Sequence, residues 1–373
     1  MSRLRVAVIG AGRLGGLHAQ KLARSEHAEL VAVVDPDPAP RHRVAAECRT
    51  QPLADYRELA GRIDAAVVAA PTHLHHPIAL DLLNQGVHLL VEKPLCPTAA
   101  QADELVRAAR RKGVVLQVGH VERFNPALAA AAPHVSHPPP KYLEAVRTST
   151  FTFRSTDVGV VLDLMIHDID LVLSLVRSPL RRVEALGLSV LGGHEDVANA
   201  RLEFQCGCVA TLSASRVSYH STRQMHVWTP RVFASIDFAA RKTTLVRPSE
   251  TLLERRFDVD ALGPDQLQHK EQILEELLPR EEIQAEAVDA LSLELADFLE
   301  SIRTPRLPRV TGEDGRDAVA VAEQILDRIA AHAWDDRLDG PVGPRAIPRP
   351  SVLPAPHFTL VPSPQPHLRR EAG

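Results

Sequence analysis

The chain has 373 residues, 45% of them hydrophobic, which is enough to build two packed domains. A formal net charge of −4 at pH 7, without an extended basic cluster, excludes a general nucleic-acid binder, which would present a strongly basic face. No apolar run approaches membrane length and no hydrophobic signal region precedes the first apolar stretch, so a cytoplasmic protein without membrane contact is expected.

Residues 4–9 (LRVAVI) form a short apolar strand that runs into Gly10-Ala11-Gly12-Arg13-Leu14-Gly15 and then a helical pattern through Ala23. Strand, tight glycine turn and helix N-terminus make a site for a pyrophosphate. Gly10 permits the turn, Gly12 lets the backbone approach the ligand, and Gly15 lets helix pack on strand. A second aliphatic strand (LVAVV, 30–34) ends at Asp35, about 20 residues on, where a carboxylate accepts ribose hydroxyls and repels a 2′-phosphate. NAD is therefore expected over NADP, although Arg13, Arg41 and Arg43 stand near enough in sequence to receive a phosphate. Asp37 reads as a turn residue after Pro36.

Strand and helix then alternate: DAAVVAAP (64–71), PIALDLLNQG (77–86), VHLLVEKP (87–94), AAQADELVRAARRKG (99–113) and VVLQVGH (114–120). Such βαβ units imply a doubly wound parallel sheet of the Rossmann type over residues 1–121, with ligands outside the carboxyl ends of the strands. Thr72 and His75 follow the third strand, Glu92 and Lys93 the fourth, and His120 and Glu122 the fifth, so these are the candidates for chemistry. The cluster His73, His75 and His76 lacks a carboxylate or thiol at ligand spacing, and no metal is implied.

Beyond a Pro-rich loop at 133–141 the pattern changes to strands at 143–153, 183–190, 198–204, 208–217, 223–229 and 234–239, with one clear helix among them. This predicts an α+β second domain over 122–335 with a large open mixed or antiparallel sheet, onto which helical patterns at 291–302 and 315–333 pack back. Cys206 and Cys208 are placed on one face of a strand. With Cys48 and Cys96 scattered elsewhere, neither disulfide framework nor zinc site is suggested. Residues 250–287, rich in charge and Leu, read as a mobile or oligomer-contacting insertion, and 336–373 as a Pro-rich tail.

The intervening helix, VVLDLMIHDIDLVLSLV (160–176), is apolar except for Asp168 and a stripe of Asp163, His167, Asp170 and Ser174 at i, i+4, i+7 and i+11. Read from the residues, the stripe is either an internal hydrogen-bonded set or one wall of a ligand site.

In order, GAGRLG, Asp35, P-T-x-x-H at Pro71, Thr72 and His75, EKP at 92–94, D-x-x-x-H at 163–167 and TGEDGRDA at 311–318 resemble the Gfo/Idh/MocA oxidoreductases over roughly residues 4–335. VGHVERFNPA (118–127) and DVGVVLDLMIHDIDL (157–171) are similar to the branch that oxidises the 3-hydroxyl of UDP-N-acetylglucosamine or its uronic acid. In that branch the keto sugar passes to an aminotransferase for lipid A or O-antigen synthesis. Met165 stands where many relatives carry Gly and would narrow the space beside the nicotinamide.

The resemblance implies that Lys93 approaches the reacting hydroxyl, that His167 takes its proton, with Lys93 as the alternative base, and that Asp163 orients His167. A nucleotide-sugar would bring a pyrophosphate for Arg123, Arg154 and Arg216, with Glu122 and Asn125 placed for sugar hydroxyls. It also implies a homodimer or homotetramer paired through the open sheet. The rival readings are a dehydrogenase of a free cyclitol or hexose and a non-catalytic NAD-binding regulator; retention of both Lys93 and His167 speaks against the latter.

Overall fold

Six short strands, β1 (Leu4–Ile9), β2 (Ala28–Val34), β3 (Gln51–Leu53), β4 (Ala65–Val68), β5 (His88–Glu92) and β6 (Leu116–Gly119), form a sheet in the order β3-β2-β1-β4-β5-β6. Every pairing is parallel. The computed structural model describes residues 3–152, 158–191, 193–334 and 340–346; Arg154 and nearly all of the expected Pro-rich tail lie outside them. All four residues of β4 are buried, as expected of a parallel strand covered on both faces. The covering helices include α1 (Arg13–Leu22), α2 (Pro38–Cys48), α3 (Thr72–Asn84) and α4 (Ala99–Lys112). The order reverses between β1 and β4, so the loops leaving their carboxyl ends diverge and open a crevice.

Two elements here differ from the sequence pattern. Helix α2 and strand β3 are additional. Pro38 and Pro40 mask the helix, yet Pro38 sits at its first position, where a missing N–H costs nothing, and Asp37 Oδ1 caps it by accepting from Ala39 N at 2.9 Å. Asp37 is thus a helix cap. Helix α3 starts at Thr72, ahead of the expected Pro77, and runs through that proline at the expense of one backbone bond.

The second sheet contains β7 (Tyr142–Thr148), β8 (Leu180–Leu188), β9 (Val197–Phe204), β10 (Val209–Ser215), β11 (Thr222–Trp228), β12 (Phe233–Asp237), β13 (Lys242–Val246) and β14 (Arg280–Gln284). They lie in the order β14-β13-β12-β11-β7-β10-β9-β8, with β7 and β10 parallel and the remaining pairs antiparallel. β13 and β14 were not expected. β14 reads REEIQ, a charged, exposed edge strand whose pairing the hydrophobic pattern does not announce. It lies within the supposed insertion 250–287, beside short helices α7 (Glu250–Leu253), α8 (Pro264–Gln268) and α9 (Lys270–Leu277). Cys206 and Cys208 occupy the turn between β9 and β10, one exposed and one buried, not one face of a strand.

Helix α5 (Pro126–Val135) follows β6, and α6 (Ile166–Val176) continues a π-helical turn, Val161–Met165. Ile166, Ile169 and Val172 of α6 share a fully buried core with Leu143 of β7, Leu212 of β10 and Met225 and Val227 of β11. Each such side chain contributes roughly 1.5–3 kcal/mol on burial. Of the last two helices, α10 (Ala290–Arg303) puts Phe298 and Leu299 into the core of the first sheet. α11 (Gly312–Ala331) puts Ala322 and Ile325 into that of the second. The cleft between the sheets is therefore braced from behind. Among the described residues no helix is long and apolar enough to cross a membrane.

Candidate active site

The loop between β1 and α1 is shaped by its glycines. Gly10 has φ +101°, and a Cβ there would lie 2.4 Å from the Ala69 carbonyl oxygen; one on Gly15 would lie 1.8 Å from the Gly10 oxygen. Gly12, by contrast, faces open space, which leaves room for a ligand at the first turn of α1, where Arg13 and Leu14 are exposed. Asp35 closes the loop: Oδ2 accepts from Ala11 N at 2.7 Å and Oδ1 from Asp37 N at 2.9 Å. Arg41 donates to the backbone oxygens of Asp35 and Pro36 and is thereby committed.

A cavity of about 720 Å³ runs from Gly10, Gly12 and Asp35 past Tyr56 to Ala69, Ala70 and Pro71. A second, of about 270 Å³, shares those last three residues and continues along Leu14 and Thr72 to Lys93, Leu162 and Asp163. Together they make a groove of the size of a dinucleotide site. The glycine cradle, the fixed carboxylate at Asp35 and the open first turn of α1 fit NAD.

At the inner end of the groove Lys93 leaves β5. Its Nζ donates to the Asp163 carbonyl oxygen at 2.7 Å and to Asp163 Oδ1 at 3.1 Å. Asp163 therefore bonds the lysine and not, as the helical spacing suggested, His167. The physical reason is the π-helical turn, whose extra residue breaks the 3.6-residue phase. Met165 is fully buried in the core of the second sheet and does not border the cleft.

His167 Nδ1 is buried without a hydrogen-bond partner. Burial first, and then the charges of Lys93, Arg147 and Arg223, hold its pKa well below the usual imidazole value. His120 stands edge-on to it, 6.3 Å between ring centroids, and burial pushes its pKa down to about 3. Both of its ring nitrogens are also buried without partners. The groove thus ends in a lysine held by a carboxylate, and that lysine's charge acts on a nearby histidine kept neutral; such a pair can hold a hydroxyl and take its proton.

Other residues expected to face a ligand are engaged elsewhere. His75 is buried, and its ring nitrogens meet the oxygens of Pro94 (2.9 Å) and Ala70 (2.8 Å), bracing the Lys93 turn. Glu92 is buried too: Oε1 lies 2.7 Å from His18 Nε2, and Oε2 accepts from Lys93 N at 3.2 Å. Beside it Glu294 is wholly buried with both oxygens unpartnered, and burial together with Glu92 raises its pKa far above the carboxylate range.

Glu122 and Asn125 were expected to meet sugar hydroxyls. Glu122 instead accepts from Arg147 at 2.9 Å and from Asn125 at 3.0 Å, while Asn125 Oδ1 caps α5 at Ala127 N. Arg147 also grips Asp168 with two bonds of 3.0 and 2.8 Å, so one buried cation is shared by two carboxylates. Arg123 spans Asp170 and Asp314 at 3.8 and 3.6 Å and donates to Arg309 O. Burial raises Asp170 to about 7. Arg216 bonds Asp196 at 2.7 Å and the Val158 oxygen at 2.8 Å, which ties the entry of the π turn to β9 and β10. Ser174 returns its hydroxyl to Leu171 O.

Sequence reasoning missed His18, Arg147 and Glu294. His18 sits three residues after the last glycine of the loop, a position that faces inward on α1 and could have been flagged; the other two give no local signal.

Residues 4–120 match the family profile described as oxidoreductase family, NAD-binding Rossmann fold, and residues 131–231 match the GFO/IDH/MocA C-terminal domain. The chain is 32% identical to UDP-N-acetylglucosamine 3-dehydrogenase of Acidithiobacillus ferrooxidans, over 90% of this chain and 100% of that one. It is 28% identical to scyllo-inositol 2-dehydrogenase (NAD(+)) of Bacillus subtilis, over 84% and 90%. The solved structure of the Acidithiobacillus enzyme superimposes with a TM-score of 0.77 over 88% of this chain and 98% of that one.

Proposed function

Because the chain belongs to the Gfo/Idh/MocA oxidoreductases, as an NAD-dependent dehydrogenase of sugar CH–OH groups, we propose that its substrate is UDP-N-acetylglucosamine, oxidised at the 3-hydroxyl. The supporting observation is similarity along the entire length of a UDP-N-acetylglucosamine 3-dehydrogenase, both sheets included. Bound NAD supplies the hydride acceptor. Gly10, Gly12, Arg13, Leu14 and Gly15 cradle its pyrophosphate, Asp35 takes the ribose hydroxyls, and Thr72 borders the ring end of the groove.

Lys93 donates to the reacting oxygen and steadies the charge that develops there. His167, neutral at physiological pH, accepts the hydroxyl proton, and Asp163 positions Lys93. An imidazolium is disfavoured in this buried, cation-rich place, so the proton that His167 accepts is released to solvent water. The resulting 3-keto sugar is the kind of product an aminotransferase consumes, and the outer face of the eight-stranded sheet is the surface for pairing copies.

A free cyclitol is the second reading, favoured by the 28% identity to scyllo-inositol 2-dehydrogenase. Following NADH while the protein is given NAD with UDP-N-acetylglucosamine, its uronic acid, glucose or inositol in turn, with a carbonyl trap present, separates the two. Turnover with UDP-N-acetylglucosamine supports the proposal. Turnover with inositol alone removes it, and NAD binding without any turnover points to a regulator.

A further inference from the structure

Strand β11 alternates between two faces, and its inward residues Met225 and Val227 are wholly buried in the core shared with α6. Arg223 holds the next inward position toward the start of the strand, yet it is exposed. Its register partner on β7 is Arg147. Two guanidinium groups directly opposite on one face of an antiparallel ladder repel, unless each finds an anion. Arg147 has Asp168 and Glu122. The Arg223 side chain makes no hydrogen bond or ion pair with any described residue.

Among the described residues the surroundings leave it no internal partner. Asp168 directs both oxygens at Arg147, Glu122 one at Arg147 and the other at Asn125, and Asp163 is bonded to Lys93. Arg123 and Arg216 are held by Asp170, Asp314 and Asp196. Arg223 is exposed on the face it shares with Arg147, and its charge reaches both His167 and Asp168, so its guanidinium lies on the His167 side of the sheet. A cation with five N–H donors in a planar fork, exposed and without a partner among the described residues, is matched by a phosphate.

We infer that Arg223 is the anion-binding residue of the substrate cleft, gripping a phosphate of the nucleotide diphosphate while Lys93 and His167 engage the sugar. This assigns to β11 the role that the sequence suggested for Arg123 and Arg216. It rests on the nucleotide-sugar reading above and gives that reading its selectivity: a neutral cyclitol offers Arg223 nothing to bind.

The test is calorimetric binding of UDP and of uridine to the NAD-loaded protein and to its Arg223→Gln and Arg223→Lys variants, alongside kinetics with UDP-N-acetylglucosamine. Arg223→Gln is expected to weaken UDP at least tenfold, with uridine and NAD unchanged. KM for the nucleotide-sugar rises by a similar factor while kcat changes less than about threefold, and Arg223→Lys recovers part of the loss. UDP affinity and KM within twofold of wild type in Arg223→Gln overturn the inference and leave the substrate reading standing. A wild-type protein that neither binds UDP nor oxidises a nucleotide-sugar overturns both.

Discussion

Replacing Arg147 by Met removes the cation that bonds the buried carboxylates of Glu122 and Asp168. Glu122 and Asp168 are 7% and 2% exposed, and between them they accept three charge-assisted bonds from Arg147 at 2.8–3.0 Å. At about 1.5–3 kcal/mol each these bonds are worth roughly 5–9 kcal/mol gross. Part is recovered, because burial already raises Asp168 and without Arg147 it can take up a proton, and because Met fills the space. A net loss of about 3–5 kcal/mol follows, the range for breaking a buried pair from one side. Urea unfolding followed by far-UV circular dichroism measures it. The direction with pH is fixed: a carboxyl whose folded pKa is raised binds its proton more readily when folded, so the deficit shrinks on acidification and grows as pH rises. Adding Glu122→Gln and Asp168→Asn to Arg147→Met should recover at least half of the loss. A loss below about 1 kcal/mol for the single variant, or no recovery in the triple one, refutes the reasoning.

Three further outcomes follow from the site. Asp35→Ser removes the carboxylate that meets a 2′-phosphate, so the ratio of kcat/KM for NAD over NADP should fall at least tenfold; an unchanged ratio places discrimination elsewhere. His167 must be neutral to take a proton, and its pKa is depressed, so the acid limb of kcat/KM should lie well below pH 6.5; a limb at or above that value contradicts His167 as the base. His120 is neutral when folded, with a pKa of about 3 against 6.5 when exposed. Stability is therefore unaffected above pH 6.5 and is lost as pH falls below it, by about 2 kcal/mol at pH 5. His120→Asn should flatten that dependence in urea titrations at pH 7 and pH 5.

The parallel sheet was legible because each strand is an uninterrupted aliphatic run and the glycine loop announces its turn. α2 escaped because prolines at a helix start look like a loop, and β14 because a charged edge strand carries no hydrophobic alternation. At the site, Lys93 bonds Asp163, a contact the motifs do not announce. The partnership within the Asp163–His167 stripe was misread because a π turn cannot be seen in a sequence assumed to be 3.6-periodic. Residue type pointed to Glu122, Asn125, Arg123 and Arg216 as ligand contacts, but hydrogen-bond capacity is spent on whichever partner the tertiary fold brings nearest. Here those partners are Arg147, the α5 cap, Asp170 and Asp196. Arg223 stands on a strand that is otherwise ordinary, and its exposure on the inward face appears only once the sheet is built.

The central claim is removal of hydrogen from one carbon of a nucleotide-sugar. Incubating the protein with NAD and UDP-N-acetylglucosamine deuterated at C3, and recording the mass of the reduced nicotinamide, tests it directly. Deuterium in the reduced cofactor, with a slower rate than for unlabelled substrate, is the predicted result. Reduced cofactor without deuterium, or no reduction from this substrate while inositol is oxidised, contradicts it.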